Sequence, residues 1–184
     1  MGNIEIRPAV PEDAGEILEI YRPYILKTSI TFEYDVPSLS DFEQRMKGIM
    51  MKYPYLVAVR EGKLIGYAYA HAYRERAAYG WDVETSIYLK MGETRGGTGT
   101  LLYQRLLELL KRQNVKNVYA CITSPNEASE RFHEKMGFRF VGVFPETGYK
   151  FGKWYGVSWY EKKIGTFEEG SELKPVVPVS EIYE

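Results

Sequence analysis

A single cysteine, Cys121, in 184 residues excludes an internal disulfide and a cysteine-based zinc cluster. Histidine is nearly as scarce: His71 and His133 alone argue against a multi-histidine centre, so no metal is expected. Long apolar runs are missing, and the opening Met1-Gly2-Asn3-Ile4-Glu5-Ile6-Arg7 lacks the apolar stretch of a secretory signal. No membrane is therefore expected as a partner, and the cytoplasm is the expected location. Nor does charge of one sign dominate. The 24 basic and 25 acidic residues leave a net charge of −1, which offers no basic field to nucleic acid but still allows a local basic site for a small anion. No period repeats, and no low-complexity linker divides the chain. What is plentiful is apolar and aromatic material: 45% of residues are hydrophobic and 16 are tyrosine, enough for one domain with a sizeable core. Cys121 sits in the apolar run Val118-Tyr119-Ala120-Cys121-Ile122 and reads as a small buried hydrophobe.

Periodicity supplies the elements. Residues 4–8 read as a short strand, and Pro11-Glu12-Asp13 opens a helix with proline and acid in its first turn. Ala14, Ile17, Leu18 and Tyr21 give that helix one buried face. Ser40-Asp41-Phe42-Glu43 has capping-box spacing for a second helix, with Phe42, Met46, Ile49 and Met50 on its apolar side. Strand-like runs 55–60 and 64–73 flank a three-residue hairpin loop, Glu61-Gly62-Lys63, and residues 81–89 form the next strand. An amphipathic helix over 100–113, a strand over 117–122 and a helix over 126–135 stopped by Gly137 follow. Residues 138–144 and 154–163 pair as a last hairpin with a long connection carrying lysine and glycine. The alternation predicts an α/β domain over residues 1–165, a mixed central sheet with helices on both faces. The tail, residues 166–184, is expected to be extended or docked on a neighbour.

Between a predicted strand and a predicted helix lies Thr94-Arg95-Gly96-Gly97-Thr98-Gly99-Thr100. Glycines there let backbone N–H groups approach an anion, and the helix dipole adds favourable potential. Arg95 would add charge to a phosphate contact. The terminal lysine of a mononucleotide loop and the G-x-G-x-x-G dinucleotide fingerprint are both absent. A flexible turn is the alternative reading.

The segment resembles the pyrophosphate loop of the GNAT superfamily, Q/R-x-x-G-x-G/A, with Thr94 in place of the first residue. Pro125-Asn126, Phe132-His133-Glu134-Lys135-Met136-Gly137-Phe138 and the opening Ile6-Arg7-Pro8-Ala9 resemble further segments of that superfamily, over residues 4–164. Within it, the chain is most similar to the phosphinothricin acetyltransferase group, which includes methionine sulfone and sulfoximine acetyltransferases. Four segments carry this: Thr28-Ser29-Ile30-Thr31-Phe32-Glu33, residues 76–84, Arg131-Phe132-His133-Glu134, and residues 148–154. Gly156 departs from the aspartate common there.

The resemblance implies the GNAT fold, acetyl-CoA as co-substrate, acetylation of the α-amine of a small amino-acid analogue, and a homodimer. A GNAT enzyme for a protein N-terminus or a polyamine, and a non-catalytic acyl-CoA-binding module, are the competing readings. An alkylammonium must lose a proton before it attacks a thioester, so a base is required. Glu84, an ionisable group inside a central strand, is either that base or part of a solvated strand face. The resemblance assigns it the base, and assigns His133 protonation of the departing thiolate or help to the base. It places the backbone of Ser86, Ile87 and Tyr88 along the pantetheine arm, with a bulge aiming an N–H at the thioester carbonyl. Gly96, Gly97, Thr98, Gly99 and Thr100, with Thr94 and Arg95, would hold the pyrophosphate. Asn126 is a pantetheine contact, a helix cap, or both, and Ser129 reaches a phosphate or is a plain surface serine. Arg74 and Arg76 would grip an anionic acceptor group, since guanidinium forks match carboxylates and phosphinates. Phe32, Tyr79 and Trp81 wall the acceptor pocket or pack in the core.

Overall fold

In the computed structural model, which describes residues 3–93, 96–170 and 172–183, the described strands form one seven-stranded mixed sheet. The chain runs β1 (Ile4–Pro8), α1 (Ala14–Lys27), α2 (Leu39–Met50), β2 (Tyr55–Arg60), β3 (Lys63–Ala72), β4 (Asp82–Leu89), α3 (Thr98–Arg112), β5 (Asn117–Ser124), α4 (Glu127–Lys135), β6 (Arg139–Lys150) and β7 (Lys153–Lys163). Strand order is β1-β2-β3-β4-β5-β7-β6, and only the β4–β5 pair is parallel.

Period-two alternation divides the core between the two faces. On one face Leu102, Leu106, Leu109 and Leu110 of α3 pack on Ala58, Ala68, Ala70, Val83 and Val118. On the other, Ile17, Tyr21, Phe42 and Met46 of α1 and α2 cover Tyr55, Val57 and Tyr67. The same alternation corrects the reading of Cys121. Val118, Ala120 and Ile122 point into the core, while Cys121 faces outward and is exposed.

Three local expectations change. The second helix is capped by Ser38, not Ser40: the Ser38 hydroxyl accepts from the Asp41 N–H at 3.1 Å, and Ser40 already lies inside α2. The β2–β3 loop is two residues long, because Arg60 pairs with Lys63 and both Glu61 (φ 51°) and Gly62 (φ 75°) are left-handed. Lys63 belongs to the strand. The last hairpin is longer, and its connection shorter, than the sequence suggests. Lys150 pairs with Lys153 across a tight Phe151-Gly152 turn (φ 50° and 76°), and register shifts at Phe140/Gly142 and Phe144/Gly148 break the alternation.

Two tethers frame the site. Lys150, only 1% exposed, donates to the carbonyls of Ile25 and Thr31 at 2.7 Å each, tying the end of α1 and the loop after it to the end of β6. The tail lies extended along its own domain: Trp81 Nε1 donates to the Lys174 carbonyl (2.7 Å), the Val177 N–H to the Gln113 carbonyl (2.9 Å), and Val179 and Ile182 join the α3 core. Among the described residues no helix is long and apolar enough to cross a membrane.

Candidate active site

The site is made by two parallel strands that part. β4 and β5 pair only at Asp82–Asn117, Val83–Val118 and Glu84–Tyr119. Beyond that, β4 stays paired to β3 as far as Leu89, and β5 to β7 as far as Ser124. A crevice opens between them, lined among others by Ser86, Ile87, Tyr88, Cys121, Asn126 and His133. Backbone N–H and C=O groups on its two edges have no strand opposite them and need other partners. The expected bulge in β4 is not there: the β3–β4 register runs unbroken from Val83 to Leu89. Parting of the strands, rather than an extra residue, presents the backbone of Ser86, Ile87 and Tyr88. The Tyr88 ring packs away from the crevice, edge-on to Tyr21 (4.9 Å) and Tyr24 (5.1 Å).

At the open end stands the N-terminus of α3. Gly97 precedes it at φ 77°, a conformation that suits glycine, and the Leu101 N–H makes the bond back to the Gly97 carbonyl (3.0 Å). The N–H groups of Thr98, Gly99 and Thr100, in the first turn, therefore point out along the helix dipole. Gly96 and Gly97 are exposed beside them. The Thr98 side chain is buried, and its hydroxyl accepts from Arg60 (3.4 Å), itself paired with Glu93 (2.6 Å). Thr98 is thus left with its backbone N–H to offer a ligand. Thr94 and Arg95 lie outside the described residues. Asn126 caps α4, its side-chain oxygen accepting from the Ser129 N–H at 3.2 Å, which leaves its amide nitrogen to offer.

His133 is 3% exposed, and both ring nitrogens are engaged. Nδ1 lies 2.8 Å from the Ser129 carbonyl, an acceptor, so Nδ1 carries the proton. Nε2 then accepts from the Tyr103 hydroxyl at 3.2 Å. Tyr103 in turn accepts from the Thr85 hydroxyl (2.6 Å), whose one proton is shared with the Tyr119 carbonyl (3.1 Å). Burial lowers the His133 pKa, against a smaller opposing effect of the Ser129 carbonyl, so the ring is neutral.

At the closed end of the crevice is Glu84, half-buried on the sheet face opposite α3, with His71 across the β3–β4 ladder. Burial raises the Glu84 pKa above the usual carboxylate value, while the charges of His71 and Arg74 act to lower it. Around it stands an aromatic wall: Tyr73 packs on Tyr119 (4.5 Å), Tyr79 (5.9 Å) and Trp159 (6.1 Å). Arg74 is exposed, its guanidinium 5.0 Å over the Tyr73 ring. Arg76 is exposed just before the short 3-10 turn Ala77–Tyr79. Phe32 is half-buried, held by Tyr155 (6.5 Å) and seated where a side chain at Gly148 would stand. Ser86, Ile87, Tyr88, Asn126, Ser129 and His133 thus line one crevice. Glu84 stands at the last pair before its strands part, and Gly99 at the start of α3 lies against Ile87. Arg74 and Tyr79 gather on Tyr73, while Phe32 sits apart against Tyr155. His71 and Tyr103 were not among the residues expected from the sequence, although both meet residues that were.

Comparison with known proteins follows the same lines. The acetyltransferase (GNAT) domain family matches residues 6–159. The chain is 34% identical to the phosphinothricin N-acetyltransferase of Streptomyces viridochromogenes over 97% of its own length and 96% of the relative's. It is 30% identical to the L-methionine sulfoximine/L-methionine sulfone acetyltransferase of Salmonella typhimurium, over 86% of this chain and 94% of that one. Among solved structures, a GNAT superfamily phosphinothricin acetyltransferase from Sinorhizobium meliloti in complex with acetyl-CoA superimposes with a TM-score of 0.87 at 34% identity, covering 98% of each chain.

Proposed function

The chain belongs to the GNAT acetyltransferase family, and we propose that this acetyl-CoA-dependent N-acetyltransferase acts on the α-amine of a small amino-acid analogue of the phosphinothricin, methionine sulfone or methionine sulfoximine type. The observation that carries the reading is the crevice itself, with free helix N–H groups at one end and a half-buried carboxylate at the other. Acetyl-CoA is the co-substrate, and it supplies the activated acetyl group. In the proposed arrangement the N–H groups at Gly96 to Thr100 hold its pyrophosphate, and the free edge of Ser86 to Tyr88 holds the pantetheine arm. Glu84 takes the proton from the ammonium before attack. His133, a neutral ring fixed by the Ser129 carbonyl at Nδ1 and the Tyr103 hydroxyl at Nε2, serves the departing sulfur, which leaves as thiol with the second proton of the amine. Arg74 and Arg76 anchor the oxygen-rich end of the acceptor, so that two fixed points orient the amine and lower the entropic cost of attack.

The test is a turnover screen with acetyl-CoA across amino acids, their sulfone, sulfoximine and phosphinate analogues, polyamines and peptide N-termini. Arg76→Ala should lower kcat/KM for the anionic or tetrahedral acceptors by about 2–5 kcal/mol, roughly 30-fold or more, and for plain amines far less. Gly97→Val, run alongside, should weaken acetyl-CoA binding in a folded protein. Faster turnover of polyamines or peptide N-termini than of every amino-acid analogue would overturn the acceptor assignment.

We further propose a homodimer. The edge strand β6 exposes Phe140 (50%), Val141 (54%) and Phe144 (56%), and Trp154 on β7 is 61% exposed, an apolar surface suited to a second copy. Sedimentation at micromolar concentration should give twice the 21.3 kDa chain mass, and a monomer there would reject it.

A further inference from the structure

His71 lies at the active site but has no part in the scheme above. In the unbroken antiparallel register His71 stands directly opposite Glu84, and a directly opposite pair projects to the same sheet face. Its Nε2 is 4.0 Å from a Glu84 carboxylate oxygen. The other nitrogen, Nδ1, is 3.1 Å from the Ala72 carbonyl. A carbonyl only accepts, so Nδ1 bears the hydrogen and the neutral ring turns the bare lone pair of Nε2 toward Glu84. Two acceptors face each other there, and the contact becomes attractive only when a proton lies between them.

We propose that His71 receives the proton that Glu84 takes from the acceptor's ammonium and releases it to solvent, returning Glu84 to the carboxylate for the next turnover. The proposal rests on Glu84 being the base. The steps balance. The ammonium gives one proton to Glu84, and the free amine attacks the thioester carbon. The Glu84 proton passes to Nε2, directly after a small side-chain rotation or through one water, and the imidazolium gives it to the medium. When the C–S bond breaks, the second nitrogen proton leaves the new amide, and the sulfur departs as thiol. The layout supports this direction of transfer. The His71 side chain is 37% exposed against 23% for Glu84, so the relay leads outward. Tilted packing on the Tyr69 ring at 6.0 Å holds the imidazole in place.

The other groups around Glu84 do not offer this route. From β3, Tyr69 has its phenol pushed up, chiefly by burial, as does Tyr103 from α3, and the Cys121 thiol on β5, desolvated at the crevice although the residue is exposed overall, rises to about 12. All three keep their protons at neutral pH. Tyr119, opposite Glu84 on β5, is raised to about 12. Arg74, from the loop after β3, is a fixed positive charge. Histidine is the one side-chain type among them that ordinarily changes charge between pH 5 and 8.

The experiment measures steady-state acetyl transfer (kcat) and its pH profile for wild type, His71→Ala, His71→Gln and Glu84→Gln, each checked for fold by circular dichroism and for acetyl-CoA affinity. Both His71 variants should slow transfer about 10- to 100-fold at neutral pH, less than loss of a direct acid–base contact. Acetyl-CoA affinity should stay unchanged. Loss of the His71 charge should also move the acid limb of the profile to higher pH, because that charge favours ionised Glu84. Added imidazole should restore His71→Ala saturably and leave Glu84→Gln slow. Transfer at the wild-type rate and pH profile in His71→Ala, beside a slow Glu84→Gln, overturns the relay alone. Full transfer in Glu84→Gln overturns the base assignment and the relay with it.

Discussion

Glu84→Gln should leave acetyl-CoA affinity unchanged and lower kcat about 10²–10⁴-fold, the range for loss of a positioned base. The amide keeps the shape of the carboxylate but cannot take the ammonium's proton. The N–H groups proposed to hold the pyrophosphate lie at the start of α3 and are untouched by the change. In the wild type, burial holds the Glu84 pKa above its usual value, against the smaller opposing charges of His71 and Arg74. Activity should therefore fall as pH drops through that raised pKa, and a retained kcat across the profile would remove Glu84 from the mechanism. The same shift has a stability consequence of fixed sign. Between the unfolded and the raised folded pKa the native state binds more protons than the unfolded one, so stability falls as pH rises through this window. Above it the cost is fully present. Glu84→Gln should accordingly melt no lower than wild type at acid pH and higher at neutral pH. A lower melting temperature at neutral pH would mean that the charge is held by contacts outweighing its burial.

The largest loss of stability should come from Lys150→Met. Methionine fills similar volume but leaves the Ile25 and Thr31 carbonyls, both reached at 2.7 Å by the ammonium, without a donor in a buried place. Each orphaned acceptor costs about 1–3 kcal/mol. Burial lowers the Lys150 pKa, Glu33 opposing, so removal of the desolvated ammonium gives part of this back. A net loss of about 2–4 kcal/mol is expected, which for a domain of this size lowers the melting temperature by about 4–16 °C. Because the Thr31 carbonyl adjoins Phe32, the acceptor KM should rise as well while acetyl-CoA affinity holds. An unchanged melting temperature would show that the two carbonyls find other donors.

Most of the fold was legible because its signals are periodic. The leucines of α3 recur at helical spacing and the inward residues of β2 to β5 alternate. What failed were turns whose left-handed residues are not glycine. Glu61 and Phe151 each take the first left-handed position of a two-residue turn, and neither residue type signals it. The register shifts in β6 hid its length in the same way. In the site, Glu84, Asn126 and the glycines before α3 stood out because their residue types are unusual for their elements or match a family pattern. His71 did not, because pairing residue 71 with residue 84 needs the register across a nine-residue connection, which spacing does not set. Tyr103 sits on the buried stripe of α3 and looks like core until its hydroxyl is traced to His133 and Thr85. Lys150 was missed because a lysine at a strand end is normally solvated.

The parting of β4 from β5 leaves the sheet one short strand incomplete. From Thr85 to Leu89, at about 3.3 Å per residue, the unpaired edge of β4 is about 16 Å long. Whatever fills that slot is held best if it is narrow, extended and carries amide groups at intervals, as a peptide strand does. The pantetheine arm of acetyl-CoA, with its two amides in line, has that character. In the proposed arrangement the arm would bridge the parted ends of β4 and β5, so the co-substrate would act as a structural splint as well as a reactant. The protein holding it should unfold at a higher temperature by an amount set by mass action.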